Sequence, residues 1–253
     1  MELDLQKANI WKRISAYLFD VIILGMVAVG VAFLLSSVLK YDQYNRTLEE
    51  AYSSYETQYG ITFELTQEDF DTMTEEDRAR YDEAYEALLA DKEAMYAYNM
   101  ATNLALLILT LSILVAHIVL EYVVPLLLKN GQTLGKKIFG ICVMRTDCVK
   151  MTPLQLFVRS ILGKYTIETM IPVLILVMLY FGTVGLTGTL VLGLILLLQI
   201  IVLCATKTNS AIHDLLSGTV VVDFHSQKIF DCTEDLVEYK KALAAERAAR
   251  QNY

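Results

Sequence analysis

The sequence predicts an all-α integral membrane protein with four transmembrane helices, and three observations predict it. The 253-residue chain is 55% hydrophobic with a mean hydropathy of +0.43, and its apolar residues bunch into long runs. Four runs, Ile14–Leu39, Ala101–Leu128, Thr169–Gly185 and Leu186–Thr206, come close to or exceed the roughly 18 apolar residues that mark a membrane-spanning helix. The charges between the runs are sorted by sign. Residues 129–164 hold seven basic side chains and one acid, whereas 41–98 hold four basic side chains and sixteen acids, a net charge of −12. The positive-inside rule then places the basic stretch in the cytoplasm, exports the acidic one, and leaves both termini inside.

Residues 1–40 comprise the N-terminus and the first span. That run is too long for a cleaved leader and follows the acids Glu2 and Asp4, so it is expected to remain as a helix. Residues 41–98 form an exported, acidic, tyrosine-rich segment. Tyr41, Tyr44, Leu48, Tyr52, Tyr55 and Tyr59 step by three and four, and so do Tyr81, Tyr85, Leu88, Lys92, Met95 and Asn99. That spacing marks one helix face on each arm, with Gly60 to about Met73 as the tip and Thr74 as a helix cap. The first two spans are therefore expected to continue outward as a helical hairpin zipped by tyrosines.

Residues 99–225 form the membrane core with three further spans. Its cytoplasmic part carries two short strand-like runs, Ile141–Met144 and Thr219–Val222, which pair naturally into a small β-ribbon. Between them, Thr152-Pro153 opens an amphipathic stretch, 153–164, expected to lie in the membrane interface with basic residues outward. Lys136, Lys137, Arg159 and Lys164 are the interfacial basic residues of this reading. Residues 226–253 form a cytoplasmic tail, helical from Thr233 onward.

Several function classes fall away. The four cysteines (Cys142, Cys148, Cys204, Cys232) all lie outside the exported segment, so a disulfide-stapled ectodomain is excluded. Cysteine and histidine spacings match no zinc pattern, and neither a metal nor a cofactor is expected. The stretch "GQTLGKK" (131–137) is one residue short of a phosphate-binding loop and lacks the Ser or Thr after the lysine. It reads instead as a tight turn followed by basic interfacial residues. No nucleophile–base arrangement stands out, so the chain is not expected to be an enzyme, and no nucleic-acid partner is expected.

The candidate functional residues are ionisable groups inside the spans, where burial is expensive. Asp20 lies seven residues past Arg13, two helical turns along, so both point to one side. Glu121 sits eight residues before Lys129, at a depth comparable to Asp20, and His117 is one turn away on the same face. Glu168 opens the third span. An aspartate is too short to snorkel, so Asp20 must find a partner or take up a proton. It serves either as a proton- or cation-exchanging carboxylate or as one half of a structural Arg–Asp bond. His117, Glu121 and Glu168 are its candidate relay partners.

Arg13, Asp20, "NGQTLGKKIFGICV" (130–143), "PLQLFVRSIL" (153–162) and "AIHDLLSGTVVV" (211–222) together resemble the RDD family of bacterial membrane proteins. The resemblance leaves out the hairpin and the tail after about residue 225. The family is named for one arginine and two aspartates, which fall here on Arg13, Asp20 and Asp214. The resemblance implies a multi-pass protein of the bacterial cell membrane, and some members are linked to sodium–proton exchange. Arg13 is then expected to pair with Asp214, Asp20 or both.

The leading expectation is exchange of Na+ or another small monovalent cation against protons at Asp20. Four spans and no inverted repeat imply a homo-oligomer for that role. The alternatives are a membrane scaffold whose hairpin binds an extracellular protein, and a lipid-interacting protein acting through the basic helix at 153–164.

Overall fold

The computed structural model describes residues 5–251, so Glu2, Asp4 and the end of the tail (252–253) lie outside the described residues. Four helices are long and apolar enough to cross a membrane: Ile10–Val38, Lys92–Leu128, Pro153–Tyr180 and Gly185–Ala205. The elements run in the order α1 (Ile10–Val38), α2 (Tyr41–Tyr59), α3 (Gln67–Thr72), α4 (Glu75–Ala90) and α5 (Lys92–His117). A π-helical stretch, Ile118–Val123, carries α5 into α6 (Val124–Leu128). Then come α7 (Leu134–Ile138), β1 (Ile141–Arg145) and α8 (Pro153–Phe157), which a second π-helical stretch, Val158–Met170, joins to α9 (Ile171–Tyr180). The chain closes with α10 (Gly185–Ala205), α11 (Ile212–Ser217), β2 (Thr219–Asp223) and α12 (Thr233–Gln251).

Two units divide the chain, Val29–Ser112 and the segments on either side of it. In the first, α2 packs against α4, as the periodicity of the tyrosines predicts. The residues sealed inside are small or aliphatic: Ala84, Leu88, Ala94 and Ala97 are all buried. Alanines let the helices approach closely, and the aromatic rings pack around that contact. The rings centre on a residue the helical spacing does not reveal. Phe63, in the tip, meets Tyr52 edge-on at 5.4 Å and Tyr81 at 5.7 Å, and Phe70 meets Tyr81 at 5.8 Å. Tyr44 and Tyr96 make a further edge-on pair at 6.1 Å. Thr74 caps α4 as its sequence predicts, accepting the Asp77 amide at 3.1 Å. Asp91 interrupts the return arm, accepts the Glu93 and Ala94 amides at the start of α5, and takes the Tyr55 hydroxyl at 3.3 Å.

In the second unit the ribbon forms with β1 and β2 antiparallel, Val143 opposite Val221. Alternation splits its side chains between two apolar clusters. Cys142, Met144, Val220 and Val222 pack with Phe230 and Leu236, which ties the start of α12 to one face. Ile141, Val143 and Val221 pack with Ala8 and Ala16 on the other, which ties down the start of α1.

The stretch 153–164 departs from expectation. It is not a separate interfacial helix but the first part of one continuous helix running from Pro153 to Tyr180. The cause is local. Pro125 and Pro172 each lack an N–H, and a proline ring clashes with the carbonyl four residues earlier in an α-helix. The helix widens just before each one: Val124 N–H donates to Val119 O and Ile171 N–H to Thr166 O, both five residues back. The residues four places before the prolines are Glu121 and Glu168. Each intramembrane glutamate therefore lies in a π-helical stretch, a deviation that recurs at functional sites.

Phe63→Ala is expected to weaken the hairpin by roughly 2 kcal/mol, less than a fully buried Phe because Phe63 is half-buried. Hydrogen exchange should speed up in α2 and α4 and stay unchanged in β1 and β2; equal loosening of both would refute the Phe63-centred packing.

Candidate functional site

Four carboxylates and four basic side chains converge in the second unit, beside the ribbon. Asp20, Glu121, Lys136, Arg159, Lys164 and Asp214 are buried, and Arg13 and Glu168 are half-buried. An isolated charge is costly to bury, so such a group persists only when balanced and hydrogen-bonded. The numbers balance here, and no buried side-chain nitrogen or oxygen among the described residues lacks a partner.

Asp20 is held by the loop that the sequence reading set aside. The Thr133 hydroxyl donates to Oδ2, the Gly135 amide donates to Oδ1 at 2.7 Å, and Lys136 Nζ lies 3.8 Å from Oδ2. Lys136 Nζ also donates to the Thr133 hydroxyl oxygen at 3.1 Å. The loop thus uses phosphate-loop chemistry, a hydroxyl, a backbone amide and an ammonium, on the protein's own carboxylate. Gly135 is required by space, since a Cβ there would stand 2.3 Å from the Ala16 carbonyl oxygen. Burial and the neighbouring Lys164 charge pull Lys136 down to about 8, with Glu121 and Asp20 opposing.

Asp214 is the centre of the second half. It is wholly buried and bonded to Arg159 Nη1, which also donates to the Thr219 hydroxyl at 2.7 Å. Arg13 Nη2 reaches its other oxygen at 3.4 Å, while Nη1 donates to the Asn209 carbonyl at 2.6 Å. Burial alone would raise the Asp214 carboxyl, but the Arg159 charge and the Ala211 amide outweigh it and hold it below the usual range. The expected Arg13–Asp214 pair is therefore present, and Asp20 bonds the 133–136 loop instead of Arg13.

Two further pairs complete the cluster. Lys164 Nζ donates to Glu121 at 2.6 Å. Glu168 receives the His213 backbone amide at 3.1 Å, and its oxygens lie 2.7 Å and 2.8 Å from His213 Nδ1. Burial and the Arg159 charge lower the His213 imidazole below its ordinary value. Gly163 lets α11 settle against the third span, because a Cβ there would stand 2.5 Å from His213 Cβ. His117 is buried beside this cluster: Nδ1 donates to the Ile113 carbonyl at 3.0 Å, and its ring meets Tyr165 edge-on.

Of the four basic residues expected at the interface, only Lys137 is exposed; Lys136, Arg159 and Lys164 are buried. The reason is the continuous third helix, which turns Arg159 and Lys164 onto carboxylates that are distant in sequence. The contribution of His213 was also missed. The available signal was the recurrent Glu-x-x-x-Pro at 121–125 and 168–172, which marks both glutamate-bearing helices.

The cluster borders a cavity of about 400 Å³. Arg13, Asp20, Lys136, Arg159, Lys164, Glu168 and His213 supply its polar wall. Among the described residues, no group of three or more metal-ligating side chains is placed to hold a metal ion.

These features define a multi-pass membrane protein with a charge-balanced polar cluster at the ends of its spans. The chain belongs to the RDD family, whose model matches residues 7–218 and so includes all ten expected candidate residues. No curated protein and no solved structure matches it.

Asp214→Asn should strand the Arg159 charge and cost about 3–5 kcal/mol, read as a large drop in detergent melting temperature. Replacing both partners, Arg159→Met with Asp214→Leu, should recover much of that loss. A double variant no better than the single one would show that the pair is not what the site depends on.

Proposed function

We propose that this is a protein of the bacterial cell membrane whose polar cluster is a binding site within the bilayer rather than a catalytic centre. Both termini and the ribbon are cytoplasmic in this reading and the acidic hairpin is exported, as the sorted charges favour. The reading as a non-enzyme rests on the lack of a nucleophile–base set in the sequence. The observation that carries the binding reading is the cavity. Its polar wall is built from the paired charges, and most of the rest comes from α1, α9 and α10, helices composed to face lipid, with Ile141 and Val221 of the ribbon and Ala211 closing it. A paired charge at membrane depth with an open face marks a ligand path. Native mass spectrometry of protein released in mild detergent should show a retained small molecule. Ile195→Trp, which fills the cavity from α10, should melt at the wild-type temperature and lose it; no adduct on either chain would overturn the reading.

Exchange of a monovalent cation against protons is the second reading, favoured by the Glu168–His213 pair on the cavity wall. Asp20 suits the exchanging role less well. Both of its oxygens are already taken, by the Thr133 hydroxyl and the Gly135 amide. In sealed vesicles, exchange predicts a sodium-, lithium- or potassium-dependent collapse of an imposed pH gradient that Glu168→Gln abolishes. A gradient indifferent to all three cations would eliminate it.

A further inference from the structure

We propose that the cavity holds the anionic head group of a membrane lipid, whose acyl chains leave through the gap between α1 and α10. The inference rests on the cavity being a binding site, as argued above, and names what it takes.

The first argument is the direction of the ion pairs. Arg159 and Lys164 line the cavity, whereas their carboxylate partners Asp214 and Glu121 do not. Each pair therefore presents its positive end. Counted on the wall alone, Arg13, Lys136, Arg159 and Lys164 face only Asp20 and Glu168. A cluster that is neutral overall thus presents N–H donors and an excess of positive charge to the space it encloses. Oxygens of a phosphate or carboxylate are the acceptors that match guanidinium and ammonium donors. A free cation would meet repulsion there.

The second argument is the remaining wall. Ile10, Ile14 and Tyr17 from α1, with Ile195, Leu196 and Leu203 from α10, give it an apolar side. These two helices do not pack closely on each other, and little of either is buried. A gap between two lipid-facing helices admits chains from the bilayer. Hydrocarbon tails alone would leave the cationic wall unsolvated, and a soluble anion would leave the apolar side wet. An anionic amphiphile meets both demands, and basic pockets between spans at the cytoplasmic side are a recurrent way of binding such head groups. Gln199, on the otherwise apolar face that α10 turns to the cavity, hydrogen-bonds Glu168 and adds a polar group at head-group level.

The test is lipid titration of the full purified chain in nonionic detergent, read by native mass spectrometry. The probes are dioleoyl phosphatidylglycerol, dioleoyl phosphatidylcholine and soluble glycerol phosphate. The phosphatidylglycerol is expected to bind at least tenfold more tightly than the phosphatidylcholine, to be lost in Ile195→Trp, and to outcompete glycerol phosphate. Gln199→Glu adds a carboxylate to the cavity wall and should weaken the anionic lipid tenfold or more, while leaving phosphatidylcholine binding unchanged. Both variants are checked for an unchanged melting temperature. Equal binding of the two lipids would overturn the anionic assignment while leaving a lipid-binding cavity. Glycerol phosphate competing as well as the lipid would overturn the lipid source and leave a free-anion site. Binding indifferent to Ile195→Trp, or no binding at all, would overturn the cavity as the site.

Discussion

The polar half of this fold depends on the bond between Arg159 and Asp214. A charge buried there without its partner would be costly, since each group is nearly inaccessible to solvent, at 3% and 0% exposure. Their bond requires the third helix to run inward from Pro153 and requires α11 to sit against it. Once it forms, other contacts follow from geometry. Arg13 adds to the free side of Asp214, and the backbone of α11 presents His213 to Glu168. Thr219, at the start of β2, hydrogen-bonds Arg159, so the ribbon is registered to the same pair. A buried charge is poor evidence for stability as such, but misplacing either partner here would leave a buried charge unpaired.

Asp20 depends on the same balance by a different route. Its loop has the chemistry of an anion cradle with the anion supplied from within. That explains why "GQTLGKK" looks like a failed phosphate motif. The missing residue and the absent Ser or Thr matter for binding a nucleotide; a carboxylate on a neighbouring helix needs only the Thr133 hydroxyl, the Gly135 amide and the nearby Lys136 ammonium. The demand for glycine at 135 comes from the same contact, since the loop can reach Asp20 only by pressing against the α1 backbone.

The parts of this structure legible in the sequence are those that one helix or strand decides by itself. Apolar runs fix the spans, the tyrosine spacing fixes the hairpin arms, and β-branched runs fix the ribbon. The Arg13–Asp214 contact was legible through the family resemblance. What stayed hidden depends on partners distant in the chain. Lys136, Arg159 and Lys164 look like surface residues because lysines and arginines usually are, and nothing local says that Glu121 or Asp214 awaits them. The continuity of the third helix was obscured for a related reason. Polar residues at 155, 159 and 164 mimic an interfacial face, and only the cluster shows that two of them point inward. Phe63 and Phe70 lie in the non-repeating tip, where helical spacing carries no information.

The arrangement of the charges bears more on function than their number. Four acids against four bases would be equally neutral if the carboxylates faced the cavity and the cations stood behind, and such a wall would attract a cation. The chain has the opposite order at two pairs, because Glu121 and Asp214 sit on the side away from the opening. The order follows from which helix bears which residue: Arg159 and Lys164 share the third helix, whose inward face borders the cavity. Glu121 and Asp214 approach that helix from α5–α6 and α11. Exchanging the signs within these two pairs would keep the net charge and reverse the field in the cavity. The polarity of the site is therefore fixed by helix placement, and it is the property from which an anionic rather than a cationic occupant follows.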